Sequence, residues 1–312
     1  MTQINVERTA PPPEALNPLQ EWWRQNQKKY IPYIFIAPNL AIFTLFVFIP
    51  ILYALYMSLF EWKGIGVPEF IGLQNYTELF QDPVFWTSVT NTIVFAMGAV
   101  PFSMLFGLMV ALGLNQPRVP GRALLRTIYF IPFVISAVAT ATTVSWLFND
   151  SFGIINKLLA LLGLAKVQWL SSPDTAMLTV IIATIWVRLG FCMIIYLAGL
   201  QSIPNDMLEA ARVDGALPWQ QLFYIKLPLL RSTTFLLLIL NVIYSFESFD
   251  LIYVMTNGGP GYSTTVVPIY IYNMAFETQR FGYASAIGLV FMMIIMAFTV
   301  VQWRMSNQGG RI

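Results

Sequence analysis

The sequence predicts an all-α, polytopic membrane protein with six transmembrane helices. Three observations carry this. The 312 residues are 57% hydrophobic and only 10% charged, whereas soluble domains average about 25% charged residues. Apolar runs long enough to cross about 30 Å of hydrocarbon, for which about 20 helical residues suffice, recur six times. Basic residues gather in alternate connections between those runs, the asymmetry that sets orientation in a membrane.

Residues 1–30 are a polar tail with Pro11-Pro12-Pro13 and the cluster Arg24, Lys28 and Lys29, a flexible composition ending in a basic anchor. A removed signal peptide does not fit, because the next apolar run is too long and no small-residue cleavage site follows it. The first span lies within 31–60, at about Tyr33–Phe60. Residues 61–85 form an outer connection made acidic by Glu61, Glu69, Glu78 and Asp82. A core over 86–304 holds five more spans, near Trp86–Leu114, Leu124–Phe148, Met177–Leu200, Leu229–Tyr253 and Tyr283–Trp303, and 305–312 is a second short tail. Ile154–Leu164 is apolar but too short to cross and reads as an interfacial helix. Asn257-Gly258-Gly259-Pro260-Gly261 is a dense turn signal, followed by a short run, Val266–Phe276. These outer pieces either cap the bundle or touch a soluble protein.

With six spans, Arg8, Arg24, Lys28, Lys29, Arg118, Arg122, Arg126, Arg212, Lys226, Arg231, Arg304 and Arg311 fall on one side. Only Lys63, Lys157, Lys166 and Arg280 fall on the other. Both termini and the 202–230 connection are therefore expected in the cytoplasm.

Composition also excludes. The chain has no histidine, hence neither the commonest general base nor the commonest metal ligand. Cys192, the single cysteine, sits in an apolar helix and reads as an inert buried thiol. A net charge of +2 gives no reason to expect a nucleic-acid partner. No Gly-Lys pair occurs, so the phosphate-cradling P-loop is missing and any ATP is bound elsewhere. No metal or cofactor is expected on this chain.

Two constellations remain. In 202–230, Pro204 suits a first helical turn, and Asp206 and Glu209 sit where the helix dipole favours negative charge. Gly215 stands where a helix stop needs a left-handed residue. Pro218 opens a second short helix and Pro228 ends it. Ala210 and Ala211 keep one face low, and Glu209 and Asp214 are placed to cap or brace. On spacing alone, an ordinary amphipathic connector reads equally well. The second constellation is intramembrane: Arg188 in the fourth span, and Asn241, Tyr244, Ser245, Glu247, Ser248 and Asp250 in the fifth. Glu247 and Asp250 are three apart, on one face of a helix. Charges at that depth pair with one another or mark a pathway. One reading is an Arg188–Glu247 pair that holds the bundle. The other is the polar wall of a sugar-sized cavity, with Trp186 and Tyr244 as ring contacts. An ion-coupled secondary transporter using Glu247 and Asp250 is a further alternative, against which six spans are few and no inverted repeat is visible. A membrane enzyme built on Arg188, Glu247 and Asp250 lacks a histidine, a metal motif and a nucleophile setting.

The longer pattern resembles a known family. Glu209-Ala210-Ala211, Asp214-Gly215-Ala216, Phe223 and Leu227-Pro228 are similar to the EAA loop of binding-protein-dependent ABC importer permeases. Phe70-Ile71-Gly72-Leu73-Gln74-Asn75-Tyr76, Asn91-Thr92, Gly121-Arg122 with Arg126, and Phe130-Ile131-Pro132 extend the likeness. So do Trp146-Leu147-Phe148-Asn149, Phe152-Gly153, Leu197 to Pro204, Phe249-Asp250 and Gly258-Gly259-Pro260-Gly261, and the whole covers about Ile34–Trp303. The set looks like the carbohydrate group, of the maltose and glycerol-phosphate type. The resemblance implies the type I ABC importer permease fold in a bacterial plasma (inner) membrane. It implies a second, homologous permease, two ATP-binding cassette subunits that hold ATP and Mg, and an extracytoplasmic substrate-binding protein, with lipid around the spans. It also implies that Glu209, Ala210, Ala211, Asp214, Gly215, Ala216, Phe223 and Pro228 couple to the ATPase. Arg188 departs from the pattern, sitting where the family varies.

Overall fold

The computed structural model describes residues 17–116 and 119–309. The expectations for Arg8, the triple proline, Arg118 and Arg311, and for the side chain of Arg24, lie outside the described residues. The chain divides into two units, one ending at Ala54 and one beginning at Leu55.

The first unit is helical. It comprises α1 (Pro18–Phe43), a π turn (Thr44–Phe48) and the start of α2 (Ile49–Met57). Residues 26–57 are apolar and long enough to cross a membrane.

The second unit opens with a small antiparallel hairpin, β1 (Phe60–Glu61) and β2 (Glu69–Phe70), inside a connection where no strand is expected. Then come α3 (Gln74–Gln81), α4 (Pro83–Leu114), α5 (Arg122–Val134), α6 (Ala137–Leu147), α7 (Ile154–Leu161) and α8 (Pro173–Gln201). The loop helices are α9 (Asn205–Val213), α10 (Pro218–Gln221) and, after a π turn (Leu222–Lys226), α11 (Leu227–Leu229). The chain ends with α12 (Arg231–Glu247), α13 (Asp250–Thr256), α14 (Val267–Tyr272), a π turn (Asn273–Glu277) and α15 (Phe281–Gly309). Long helices begin where local chemistry says they should. Asp82 caps α4 by accepting from the Val84 N–H at 2.8 Å, with Pro83 in the first turn, and Ser172 with Pro173 does the same for α8. An N-cap acceptor satisfies one of the donors that the helix start leaves unpaired, and a first-turn proline removes another.

Four helices among the described residues are long and apolar enough to cross a membrane, and six spans result if each of two bent pairs counts as one. Two of the spans expected as single runs are bent. The third breaks between α5 and α6 at 101°. Pro132 removes a donor from the last turn of α5, and Ile135 is extended with ψ 148. The fifth is in three pieces. Residues 218–229 turn by 64° into α12, so Leu229 lies before the bend, and α12 stops at Glu247. Its 17 residues rise about 26 Å, short of a full crossing. Ser248 and Phe249 are non-helical and α13 resumes at Asp250.

The core is set by close helix crossings. A Cβ on Gly107 of α4 would stand 2.4 Å from the Cys192 Cβ of α8, and one on Gly98 2.7 Å from the Ile181 Cδ1. On the opposite side of α8, a Cβ on Gly190 would lie 2.0 Å from the carbonyl oxygen of Tyr129 in α5. Membrane helices gain little from the hydrophobic effect between them, so small residues that let backbones touch decide where they pack. Around these crossings, Met193, Leu237 and Ile287 fill one core, and Phe95, Val180, Ile252 and Val266 a second.

Gly190→Leu is therefore expected to cost at least the upper end of the roughly 1–3 kcal/mol typical of overpacking. It should lower the melting temperature of the detergent-purified protein or abolish its recovery. Gly113→Ala, where nothing stands within 4 Å, should leave both unchanged.

Candidate coupling loop and intramembrane polar site

The 202–230 loop is two short helices joined by a tight stop. In α9, Asp206 lies in the first turn and Arg212 in the last, each complementing the dipole at its end. The stop is a Schellman arrangement: the Ala216 N–H donates to the Ala211 carbonyl at 2.8 Å and the Gly215 N–H to the Arg212 carbonyl at 3.0 Å. It places Gly215 at φ +81, with open space where a side chain would begin. The second helix begins when the Leu217 N–H donates to the Gln220 Oε1 at 2.7 Å ahead of Pro218. The Gln221 Nε2 donates back to the Ala216 carbonyl at 3.0 Å. Leu230, 1% exposed, anchors the far end against Gly199, where an added Cβ would meet its Cδ2 at 2.8 Å.

Several details differ from expectation. Pro204 is the N-cap of α9, one residue before the first turn. Pro228 lies in the last turn of the 218–229 helical run, which ends one residue after it. Glu209 is in mid-helix and exposed, with no side-chain hydrogen bond among the described residues, and Asp214 closes α9 through its backbone N–H. Neither carboxylate caps the helix. Ala210 is exposed and Ala211 half-buried. Beside them Val213 is 88% and Tyr224 73% exposed, with Met207, Leu217, Trp219 and Phe223 also exposed. Bulky apolar groups concentrated on one loop are the kind of surface that marks a docking site.

In the spans, Arg188 is 5% exposed. Its Nε donates to the Asn241 Oδ1 at 3.0 Å. Its guanidinium carbon lies 4.3 Å from the ring centre of Tyr244, 4.4 Å from that of Phe191 and 5.4 Å from that of Phe133. Asn241 also donates to the Leu237 carbonyl and to the Cys192 Sγ, and its own carbonyl accepts from Ser245. Arg188, Asn241, Tyr244 and Ser245 are thus brought together, with Cys192, Phe133 and Phe191 as members that sequence reasoning missed. The i, i+4 spacing of Arg188 and Cys192, and Phe133 just after Pro132, were the available signals. The Arg188–Glu247 pair, one of the two readings, does not form among the described residues. Glu247 is exposed and borders a separate groove of about 510 Å³ with Phe246, Phe291 and Met296. The break at Ser248–Phe249 separates Glu247 from Asp250, so they do not share a helical turn. Ser248 is buried, Asp250 exposed, and Trp186, 46% exposed, stands apart from the cluster. A groove of about 900 Å³ opens on the loop end of the bundle, lined by Met104, Leu108, Tyr196, Arg231, Phe235 and Leu238.

The opposite end is tied by polar contacts. Arg280 grips Glu78 through both terminal nitrogens at 2.7 and 2.6 Å, the one ion pair among the described residues. The Asp82 Oδ2 accepts from the Tyr283 hydroxyl at 2.7 Å and from the Tyr270 hydroxyl. The Asn91 Nδ2 donates to the Tyr262 and Thr265 carbonyls at 2.7 and 3.0 Å, while the Thr92 hydroxyl accepts from the Val267 N–H. Burial pushes the Asp82 carboxyl up, but the two tyrosine hydroxyls and the Val84 and Phe85 N–H groups outweigh it and hold the group below its ordinary range.

Bundle and loop together define a class: a multi-span helical membrane subunit that presents a docking helix at one end. Residues 103–305 match the family described as binding-protein-dependent transport system inner membrane component, and the chain belongs to that family. It is 37% identical over 289 residues to the probable ABC transporter permease protein YurN of Bacillus subtilis (strain 168), covering 91% of this chain and 98% of that one. It is 35% identical over 277 residues to the trehalose/maltose transport system permease protein MalF of Thermococcus litoralis, covering 88% and 93%. It matches a chain in the crystal structure of the bacterial alginate ABC transporter in complex with an alginate pentasaccharide-bound periplasmic protein. There the TM-score is 0.81 at 26% identity, over 93% of this chain and 98% of that one. The protein is a multi-pass inner-membrane permease subunit with the ABC importer fold.

A carboxylate whose folded value is depressed contributes stability above its unfolded value, about 3.9 for aspartate, and loses it as pH falls through the folded value. Asp82→Asn is expected to lower the melting temperature at pH 7. The gap from the unaltered protein should narrow as pH falls toward about 3, below that unfolded value, as read by intrinsic fluorescence of the purified protein.

Proposed function

We propose that this chain imports a carbohydrate (a sugar, glycoside or polyol) as one half of the membrane channel of an ABC importer. A second, homologous permease supplies the other half. Two ATP-binding cassette subunits bind and hydrolyse ATP with Mg, and an extracytoplasmic binding protein delivers substrate to the end tied by Glu78, Asp82 and Arg280. Both termini and the 202–230 loop face the cytoplasm. Relatives named for saccharide transport support the substrate class.

The observation that carries the mechanism is the loop itself. Its helices expose Val213, Trp219, Phe223 and Tyr224 around a Schellman stop, a rigid apolar knuckle suited to a groove on an ATPase. Glu209, Ala210, Ala211, Asp214, Gly215, Ala216, Phe223 and Pro228 form or flank that contact. Closure of the ATPase dimer moves the knuckle. The movement passes through Leu230 and the bend into α12, which carries Asn241 and Tyr244 toward the pathway, and the two permease halves exchange inward and outward access. Among the pathway candidates, Arg188, Asn241, Tyr244, Ser245 and Ser248 line the route. Glu247, Asp250 and Trp186, exposed on this subunit, face it from the boundary with the second permease.

Two outcomes test this. At φ +81 a β-branched side chain is strained by about 1–2 kcal/mol even in open space, whereas asparagine tolerates the conformation. Gly215→Val should uncouple substrate-stimulated ATP hydrolysis in the reconstituted complex and Gly215→Asn should largely preserve it. Equal coupling in both would remove the loop from the mechanism. A cysteine at Ala211 should react with an impermeant maleimide in inside-out vesicles and not in intact cells. The native Cys192 is fully buried and gives little background.

A further inference from the structure

Arg188 differs from an ordinary intramembrane ion-pair partner. Its Nε is taken by Asn241, and the rings of Tyr244, Phe191 and Phe133 occupy the space around the guanidinium carbon. Among the described residues no carboxylate reaches it, since the sole ion pair is Arg280–Glu78. The two terminal nitrogens have no acceptor among the described residues. Those nitrogens are the half of the guanidinium fork that matches carboxylate, sulfonate or phosphate oxygens two at a time.

A neutral sugar does not require such a group. Hydroxyls are satisfied by amides and by other hydroxyls, which impose no burden of charge. A buried cation costs free energy in the membrane unless something offsets it. The aromatic cage offsets part of that cost through cation–π contact, which strengthens when the cation is desolvated, and leaves the fork free. Charge-assisted hydrogen bonds are roughly twice as strong as neutral ones, so the free fork discriminates most strongly for substrates that carry an anionic substituent.

We propose that Arg188 is a specificity-determining residue and that the substrate is an anionic saccharide, bearing a carboxylate, sulfonate or phosphate, whose acidic group is held by the Arg188 fork beside Asn241 and Tyr244. This rests on the carbohydrate reading above. The chief rival is a carboxylate from the second permease that neutralises Arg188 in the assembled channel.

The test uses the complete importer, co-expressed with its partners, in lipid nanodiscs without the binding protein, so that only the membrane site selects. Methyl β-D-glucuronide and methyl β-D-glucoside differ only in a carboxylate in place of a CH₂OH, and saturation-transfer NMR reads their weak binding. The unaltered complex should bind the glucuronide at least about tenfold more tightly, the factor that about 1.4 kcal/mol supplies. Arg188→Gln should bring the ratio of the two affinities to about one, and Arg188→Lys, which keeps the charge but not the fork, should leave an intermediate ratio. Using a ratio within one preparation removes any general loss of folded protein from the comparison. Equal or tighter binding of the glucoside by the unaltered complex overturns the proposal and leaves the carbohydrate reading intact, as does a preference that survives Arg188→Gln. A neutralising partner carboxylate produces the first of these results. Saturation transfer to neither probe overturns both readings.

Discussion

The rest of the structure depends on how closely α8 approaches its neighbours. A bilayer offers no hydrophobic reward for bringing helices together, so contact surfaces fix their rotation. Gly107 receives Cys192 on one side of α8, and the Tyr129 carbonyl rests against Gly190 on another. These two contacts leave α8 little freedom to turn. Arg188 precedes Cys192 by one helical turn, so the rotation that seats the thiol against Gly107 also points the guanidinium at Asn241, Tyr244 and Phe133. The polar site is thus positioned by backbone packing and not by its own charge.

The two ends of the bundle are built differently. At the end holding Asp82, bonds join residues far apart in sequence: Glu78 to Arg280, Asp82 to Tyr270 and Tyr283, Asn91 to the carbonyls of Tyr262 and Thr265. These clamps tie α3 and α4 to the segment around α14 and to the start of α15. At the loop end the packing is mostly apolar, with Leu200, Ile203 and Leu230 in the core and Leu230 against Gly199, while the bulky side chains of the loop helices face outward. A clamped end suits a platform that receives a soluble protein without changing shape. A loop held at its base, with its face free, suits an element that is pushed.

Local features of this fold are legible in the sequence and non-local ones are not. The apolar runs, the first-turn prolines at Pro83 and Pro173 and the left-handed stop at Gly215 each depend on neighbouring residues, so periodicity and turn chemistry expose them. The breaks at Ile135–Ser136 and Ser248–Phe249 carry no proline or glycine at the break itself, and hydropathy averages across them. Charge is visible in a sequence, so it points to a carboxylate as the partner of Arg188. The fold instead supplies an amide and three rings from α5, α8 and α12. The role of Asp82 rests on contacts with Tyr270 and Tyr283, so distant in the chain that no local pattern reveals them.

The helix breaks bear on why Arg188 stays charged without a counter-ion. Phe133 lies in the last turn of α5, which ends at Val134, and Tyr244 in the last turn of α12, which ends at Glu247. Both rings border the guanidinium, so two helix C-termini end close to the one buried arginine among the described residues. The C-terminal end of a helix carries roughly half a negative charge on its unpaired carbonyls. Partial charges of that kind stabilise a cation without filling its hydrogen-bonding edge, which a carboxylate would do. Non-helical backbone at membrane depth is tolerated only where it is buried in protein or lines a water-filled cavity. Breaking both spans beside Arg188 therefore brings two helix ends to one guanidinium without placing a carboxylate on it, which leaves donors to spare. Straight, uninterrupted helices at either position would place their C-termini far from Arg188, and the cation would then need a permanent carboxylate partner of its own.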